Sequence, residues 1–407
     1  MTVYDYGIIG GGPAGYSAAI YAAKEGKTVI LFEKDQIGGT CLNRGCIPTK
    51  TFLHWADLYS DFKAGVKKEL FRAKELGFDY EKIANEKNSV CDKLRKSLEF
   101  VLKTMKITVI NKEAKIVDGK IYTDDAEYQC NKIIIATGAK PREIKGLEFD
   151  KDFILSSDDI LDLKQAPKKI VILGSGAIGI EWARIFSAFD AEVTIVELAK
   201  NLLPIADIEV SKRVERIFKQ KGIKYYTETS ITSVDKTTKT VTLSNDVVLE
   251  TDFLFVATGR VPLTELDGEK IGDCTGEIQL AHYATSQARN IILGIPYDKN
   301  LIPSVIYGEP EIAWVGKREQ DGNYKKVNLP ITALGKAHCD NATEGFIKLL
   351  LENDKIVGAH IVSKEASSLI QQLVIAMQNN ISVENLKEVC WAHPTYSEGI
   401  FEGLMRL

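Results

Sequence analysis

The sequence predicts an α/β protein with two Rossmann-like units followed by a C-terminal α+β domain. Two observations carry that prediction. One pattern occurs twice, "YGIIGGGPAGYSAAIYAAKEGKTVILFE" at 6–33 and "IVILGSGAIGIEWARIFSAFDAEVTIVE" at 170–197. The pattern then changes near residue 300 to mixed strands ("EGFIKLLLENDKIVGAHIVS") and one helix ("EASSLIQQLVIAMQNN"). A chain of 407 residues is also too long for a single core.

Each repeat reads as an apolar strand, a G-x-G-x-x-G turn, an amphipathic helix, a second apolar strand and a terminal glutamate. The first glycine precedes that glutamate by 23 residues in both copies, 10 to 33 and 174 to 197. Gly10 and Gly174 suit the tight turn, and Gly12 and Gly176 let a pyrophosphate approach the backbone. Gly15 and Gly179 let the helix pack on its strand. The pyrophosphate would sit on the helix N-terminus, where unpaired N–H groups favour negative charge. Glu33 and Glu197 are placed to accept hydrogen bonds from ribose hydroxyls. Two such units imply two dinucleotides, and two dinucleotides imply electron transfer between them.

Residues 52–106 read as long helices interrupted around "LGFDYEK", with their charges forming a solvated face. Strands follow through 107–136 to "IIIATGAKP", and "FLFVATGRVP" closes the second unit at 253–262. The paired ATG turns mark where the chain passes between units.

Composition excludes other classes. Charge is nearly balanced, 52 basic against 56 acidic residues and both signs interspersed, which leaves no footprint for nucleic acid. No apolar run reaches the roughly 18 residues of a membrane span. The opening "MTVYDYGIIGGG" enters a strand at once, unlike a secretory signal, so a cytoplasmic location is expected.

Of seven cysteines, only Cys41 and Cys46, in "GGTCLNRGCIPTK", lie close together. A zinc half-site would favour C-x₂-C with a second pair, and a static disulfide is out of place in a reducing cytosol. A redox pair fits better, since Cys46 precedes "IPTK" as a helix start near a cation, where thiolates are favoured.

Together "GGTCLNRGCIPTK", the two glycine units, "ATGR" and "HPTYSE" resemble the class I pyridine nucleotide–disulfide oxidoreductases, and within them the dihydrolipoamide dehydrogenase branch. The resemblance spans residue 3 to about 403 and implies two cofactors, FAD and NAD. It implies FAD at Gly10, Gly12, Gly15 and Glu33, with Gly39 and Thr40 beside the phosphates. Ala114, Thr137 and Gly138 would touch FAD through backbone, Asp273 would meet its ribityl and phosphate region, and Ala281 would lie near the ring. NAD would lie on Gly174, Gly176, Gly179 and Glu197, with backbone near Ile231 and Gly259. Lys50 would stand by the flavin and pair with Glu181.

The implied cycle begins with His393, oriented by Glu398, taking a proton from dihydrolipoamide. The thiolate attacks Cys41, Cys46 is released against the flavin, and electrons pass through FAD to NAD⁺. In this family the histidine comes from the partner subunit, so a homodimer is implied. Lipoyl domains of acyltransferase subunits or the glycine cleavage H protein would be the partners. His54, His282, His338 and His360 read as structural.

The implied domains are 1–150 for FAD, completed by about 259–298, then 151–258 for NAD and 299–407 for the dimer interface. Family members carry a longer stretch where only "LTELDGEK" stands between Pro262 and Gly272, so the strand delivering Asp273 is expected to be short or missing. Glu197 would repel a 2′-phosphate, which favours NAD over NADP. Two other readings remain: an NAD(P)H-dependent reductase of another thiol, and a non-catalytic subunit of a 2-oxoacid dehydrogenase assembly.

Overall fold

The computed structural model describes residues 2–407. The first repeat forms the strand Val3–Ile9, helix α1 (Pro13–Lys24) and strand Val29–Phe32. These strands lie in a sheet ordered Thr108–Ile110, Val29–Phe32, Val3–Ile9, Glu127–Ile135, Lys120–Tyr122, Lys115–Val117. The first four are parallel and the last two run antiparallel. Between Phe32 and Thr108 the chain makes α2 (Gly39–Arg44), α3 (Cys46–Lys67) and α4 (Tyr80–Thr104). The predicted interruption between long helices is thus residues 68–79, closed by Asp79, whose side chain accepts from the Lys82 amide.

The second repeat forms Lys169–Leu173, α5 (Ala177–Ala188) and Glu192–Val196. Its parallel sheet is ordered Lys224–Tyr226, Glu192–Val196, Lys169–Leu173, Phe253–Val256, Ile154–Leu155. Helix α6 (Ile208–Gln220) covers it, burying Val210, Val214, Ile217 and Phe218 at helical spacing. The two ATG turns meet directly: Ala139–Pro141 pairs antiparallel with Arg260–Pro262.

The strand before Gly272 exists but is reduced to Glu269–Lys270, parallel to Glu127–Ile135 at Ile134 and Ile135. Its polar residues carried no apolar signal because two residues at a sheet edge bury little. Gly272 then turns with φ +76°, its amide donating to Gln287 Oε1 at 2.6 Å, and α7 (Ala281–Leu293) follows, bringing Thr285 Oγ1 within 3.5 Å of Ser17 on α1.

The C-terminal region is an antiparallel sheet ordered Ser304–Ile306, Glu311–Gly316, Lys355–Ser363, Phe346–Glu352, Lys325–Pro330. The helix Ala366–Gln378 buries Leu369, Ile370 and Leu373 in the core of this region. A larger core crosses all three regions, joining Phe52 of α3, Trp182 and Phe186 of α5, and Ile306, Ile312 and Phe346. Phe52 lies 5.5 Å from Trp182 between ring centroids. That packing fixes α3 against α5, and so determines which polar side chains of the two helices meet.

Lys348 is wholly buried where the C-terminal sheet meets α6, its ammonium 2.7 Å from Asp207, 3.3 Å from Glu209 and bonded to Glu319. Asp207 is equally buried and lies 3.8 Å from His360. Lys348→Met leaves that carboxylate without its ammonium. Breaking a buried pair costs about 3–5 kcal/mol. Chemical denaturation of the variant should show a loss of that order; a loss below about 1 kcal/mol would mean the cluster is dispensable.

Candidate active site

The two glycine turns are built alike. Gly10 has φ +108°, and a Cβ there would lie 2.2 Å from the Ala136 carbonyl oxygen; Gly174 has φ +103° and its Cβ would lie 2.7 Å from Ala257 O. A Cβ on Gly15 or Gly179 would fall 1.8 or 2.0 Å from the carbonyl oxygen of Gly10 or Gly174. Only glycine permits these approaches. Gly12 and Gly176 sit at the N-caps of α1 and α5 with no side chain capping either helix, leaving the first N–H groups for a ligand. Gly39 stacks its backbone on Gly12, since a Cβ on it would lie 2.6 Å from Gly12 Cα.

The repeat extends to hydrogen bonds the sequence did not reveal. Glu33 accepts from the Gly11 amide at 2.8 Å and from the Asp35 amide at 2.9 Å. Glu197 accepts from the Ser175 and Ala199 amides, both at 2.8 Å, and from Ser175 Oγ at 2.6 Å. Each carboxylate therefore holds its own glycine turn, with lone pairs remaining for ribose hydroxyls.

The other predicted residues on the first unit gather near its turn. Thr137 Oγ1 donates to Leu263 O at 2.9 Å, and Gly138 O accepts from the Leu263 amide at 3.0 Å. Asp273 follows the Gly272 turn; burial pushes its carboxyl up, opposed by the Arg260 guanidinium. Ala281 opens α7. Ala114 is buried in the apolar cluster of Ile9, Phe32 and Ile121. On the second unit, Gly259 has φ +98°, while Ile231 begins a small antiparallel sheet, opposite Leu243.

Arg260 is a site residue that sequence reasoning passed over, although it stands in the quoted "ATGR". It donates to Ala139 O at 2.7 Å, to Ser157 Oγ at 3.2 Å and to Thr40 Oγ1 at 3.4 Å. Among the described residues its buried Nε has no partner, nor has the buried Thr258 Oγ1. With the uncapped helix N-termini, these free polar groups fit two dinucleotides.

Cys41 lies on α2 and Cys46 is the first residue of α3, with Gly45 between the helices. Both are free thiols. Cys46 is drawn down to about 7, first because Cys41 donates a hydrogen bond to it; burial opposes this and the Lys50 ammonium assists. Cys41 is pushed far up, first by that same bond and then by burial. In the reduced pair, Cys46 holds the negative charge and Cys41 the proton. The Tyr16 hydroxyl on α1 is raised first by burial and then by the neighbouring cysteine pair. Thiolate absorbance of the reduced protein should rise through about pH 7, and Cys41→Ala should move that midpoint upward by removing the donor; an unmoved midpoint would contradict the coupling.

One turn beyond Cys46, Lys50 Nζ lies 2.8 Å from both Glu181 oxygens and 4.7 Å from the centre of the Tyr307 ring. The Tyr307 amide also donates to Glu181 Oε1 at 3.0 Å. The pair joins residues 131 apart in sequence, the meeting that the packing of α3 on α5 imposes.

His393 and Glu398 form a separate unit, the imidazole exposed and the carboxylate partly buried. His393 Nδ1 lies 2.7 Å from Glu398 Oε1, and the Thr395 amide donates to Glu398 Oε2 at 2.8 Å. The Thr395 amide first, and His393 with it, hold the Glu398 carboxyl below its usual range. A carboxylate on Nδ1 fixes the proton there and leaves Nε2 as the free base. Among the described residues, no hydrogen bond joins His393 to either cysteine. The remaining histidines serve elsewhere: His282, His338 and His360 bond the carbonyls of Pro303, Thr332 and Lys317, and His54 packs on Trp55.

These features define a protein with two glycine-turn units, a dithiol and a distal histidine–carboxylate pair. The chain belongs to the class I pyridine nucleotide–disulphide oxidoreductases: that family's model matches residues 4–283, and the model of its dimerisation domain matches 302–403. The family uses FAD and a pyridine nucleotide, and the dimerisation domain implies a homodimer.

The chain is 35% identical to a dihydrolipoyl dehydrogenase of Chlamydia pneumoniae, over 99% of this chain and 96% of that one. It is 33% identical to the dihydrolipoyl dehydrogenase of Mycoplasma genitalium (97% and 96% covered), and 32% identical to a leghemoglobin reductase of Vigna unguiculata (98% and 87%). Its fold matches LpdA of Mycobacterium tuberculosis with TM-score 0.91 at 24% identity, covering 100% and 99% of the two chains. It also matches the HOCl-induced flavoprotein disulfide reductase RclA of Escherichia coli, solved as a Cu(II) complex, with TM-score 0.88 at 26% identity and full coverage of both. Among the described residues, no helix is long and apolar enough to cross a membrane.

Proposed function

We propose that the protein oxidises dihydrolipoamide groups to lipoamide with NAD⁺, as the flavoprotein of a 2-oxoacid dehydrogenase complex or the glycine cleavage system. The observation that carries this reading is the free Cys41–Cys46 pair at the junction of α2 and α3, one turn from the Lys50–Glu181 pair, a setting that draws Cys46 down and pushes Cys41 up. FAD would rest on residues 1–150 and 259–298, through the Gly10–Gly15 turn, Glu33, Thr40, Arg260 and Asp273. NAD would rest on 151–258, through the Gly174–Gly179 turn and Glu197. FAD, when bound, supplies a two-electron carrier between the dithiol and the pyridine nucleotide.

The chain's own residues do the rest. His393 Nε2 takes the proton of one substrate thiol, and the thiolate attacks Cys41 Sγ. The Cys41–Cys46 bond breaks, a mixed disulfide forms on Cys41, and Cys46 leaves as a thiolate. The second substrate thiol then attacks the substrate sulfur of that bond, passes its proton to Cys41 and closes the substrate disulfide. Two electrons have moved to the cysteine pair, one proton rests on Cys41 and one on His393. Cys46 leaves readily because the Lys50 ammonium favours its thiolate, and the Cys41 thiol freed in the second exchange then donates to it.

The whole-chain likeness to RclA favours a second reading, a reductase that uses NADH or NADPH to reduce a different disulfide. Side-by-side assays separate the two. Dihydrolipoamide with NAD⁺ should give rapid NADH formation, and NADP⁺ should be poor because the Glu197 carboxylate repels a 2′-phosphate. NADH or NADPH oxidation by other disulfides or Cu(II), with no NADH from dihydrolipoamide, would establish the second reading instead.

A further inference from the structure

We propose that Arg184 is a positioning residue for the Lys50–Glu181 pair: it fixes the Tyr307–Pro310 turn, and that turn holds Glu181. The inference rests on the reading that Lys50 and Glu181 serve the exchanging cysteines.

Arg184 stands three residues after Glu181 on α5, on the same helix face. It is 4% exposed. Nη1 donates to Tyr307 O at 3.0 Å and to Pro310 O at 2.7 Å, so one nitrogen bridges the two ends of the turn. Between those ends, Gly308 has φ +107°, and a Cβ on it would lie 2.8 Å from Arg184 Cδ. The turn is shaped around this arginine. Tyr307 passes the constraint on, since its amide donates to Glu181 Oε1 and its ring lies beneath Lys50 Nζ.

Charge pairing does not account for Arg184. Among the described residues no carboxylate lies within ion-pair distance of it, and its Nε and Nη2 are buried without partners. The acidic groups that act on it, Asp57, Glu181 and Glu311, do so through space. A buried cation without a contacting anion costs stability. Its geometric use is the two carbonyls of the turn. A long cation with a planar fork can bridge both ends of that turn from inside the core; a lysine offers one nitrogen on a flexible stem.

The test uses full-length protein with its flavin, reduced by dithiol, and reads the midpoint pH of the Cys46 thiolate by the long-wavelength thiolate band. Cys46 alkylation, mapped by mass, gives a second reading. Arg184→Met should release the turn, weaken the hold on Lys50–Glu181 and raise the midpoint by about one unit, about tenfold in the thiol–thiolate equilibrium. Arg184→Lys keeps the charge without the fork and should give a smaller upward shift. Gly308→Ala keeps the guanidinium but drives the turn off it, and should shift the midpoint in the same direction.

Folded R184M and R184K proteins that titrate with the parent, even with a lower melting temperature, would overturn the proposal. If R184M does not fold, R184K and G308A decide it: unmoved midpoints in both overturn it, and upward shifts in both support it. The midpoint needs no lipoyl substrate, so a parent protein inactive on dihydrolipoamide would defeat the functional reading while leaving this inference to be read.

Discussion

Cys46→Ser is expected to abolish dihydrolipoamide oxidation while leaving the fold and flavin intact. Serine is close in size to cysteine, and Cys46 is the first residue of α3, so packing of Phe52 on Trp182 is undisturbed. A serine cannot form the disulfide that substrate opens, so no acceptor for the electron pair remains. Cys41→Ser should be as severe, for the other half of the bond. The two variants should differ in one respect. In Cys41→Ser the hydroxyl can still donate to Cys46, which also keeps Lys50, so a Cys46 thiolate persists, whereas in Cys46→Ser no such thiolate remains. Residual turnover above a hundredth of the parent in either variant, measured as NADH formation, would remove the cysteine pair from the electron path.

The second large effect is at His393. His393→Gln retains a hydrogen-bonding side chain but removes the base, and loss of a general base costs typically 10²- to 10⁴-fold. The loss should fall on the dithiol half-reaction and spare transfer between NADH and an artificial acceptor. Glu398→Gln should cost less, on the order of tenfold, because the Thr395 amide bond to its side chain can persist while the charge that orients Nδ1 is lost. Mixed dimers of H393Q and C46S chains give a sharper result. If His393 serves the partner's cysteines, one site in each mixed dimer is whole and activity returns. If it serves its own chain, every site is broken and none returns.

Local rules made much of this site legible. The two glycine turns could be read because Gly15 must clear the Gly10 carbonyl, and Gly179 that of Gly174; no other residue does so. Cys41 and Cys46 could be read because one short segment carries both. His393 and Glu398 could be paired because they are five residues apart.

The contacts that stayed hidden span long separations and are set by packing. Tyr307 reaches Glu181 across 126 residues, Arg260 reaches Thr40 across 220, and Arg184 reaches Tyr307 across 123. No periodicity encodes such meetings; they follow from helix α3 lying on α5 and from the two ATG turns pairing. Glu33 and Glu197 show the same limit. Their position after the second strand suggested a free acceptor, and only the folded turn reveals that both also hold the loop amides.

In the proposed cycle Cys41 and Cys46 alternate between disulfide and dithiol during turnover. The direct measurement is mass mapping of cysteine state in the flavin-loaded protein, before and after anaerobic addition of one equivalent of dihydrolipoamide, and again after NAD⁺. The peptides carrying Cys41 and Cys46 should be disulfide-linked at first, both alkylated after the dithiol, and linked again after NAD⁺, with NADH formed in equal amount. Two cysteines that stay alkylatable in all three samples while NADH forms would contradict the account.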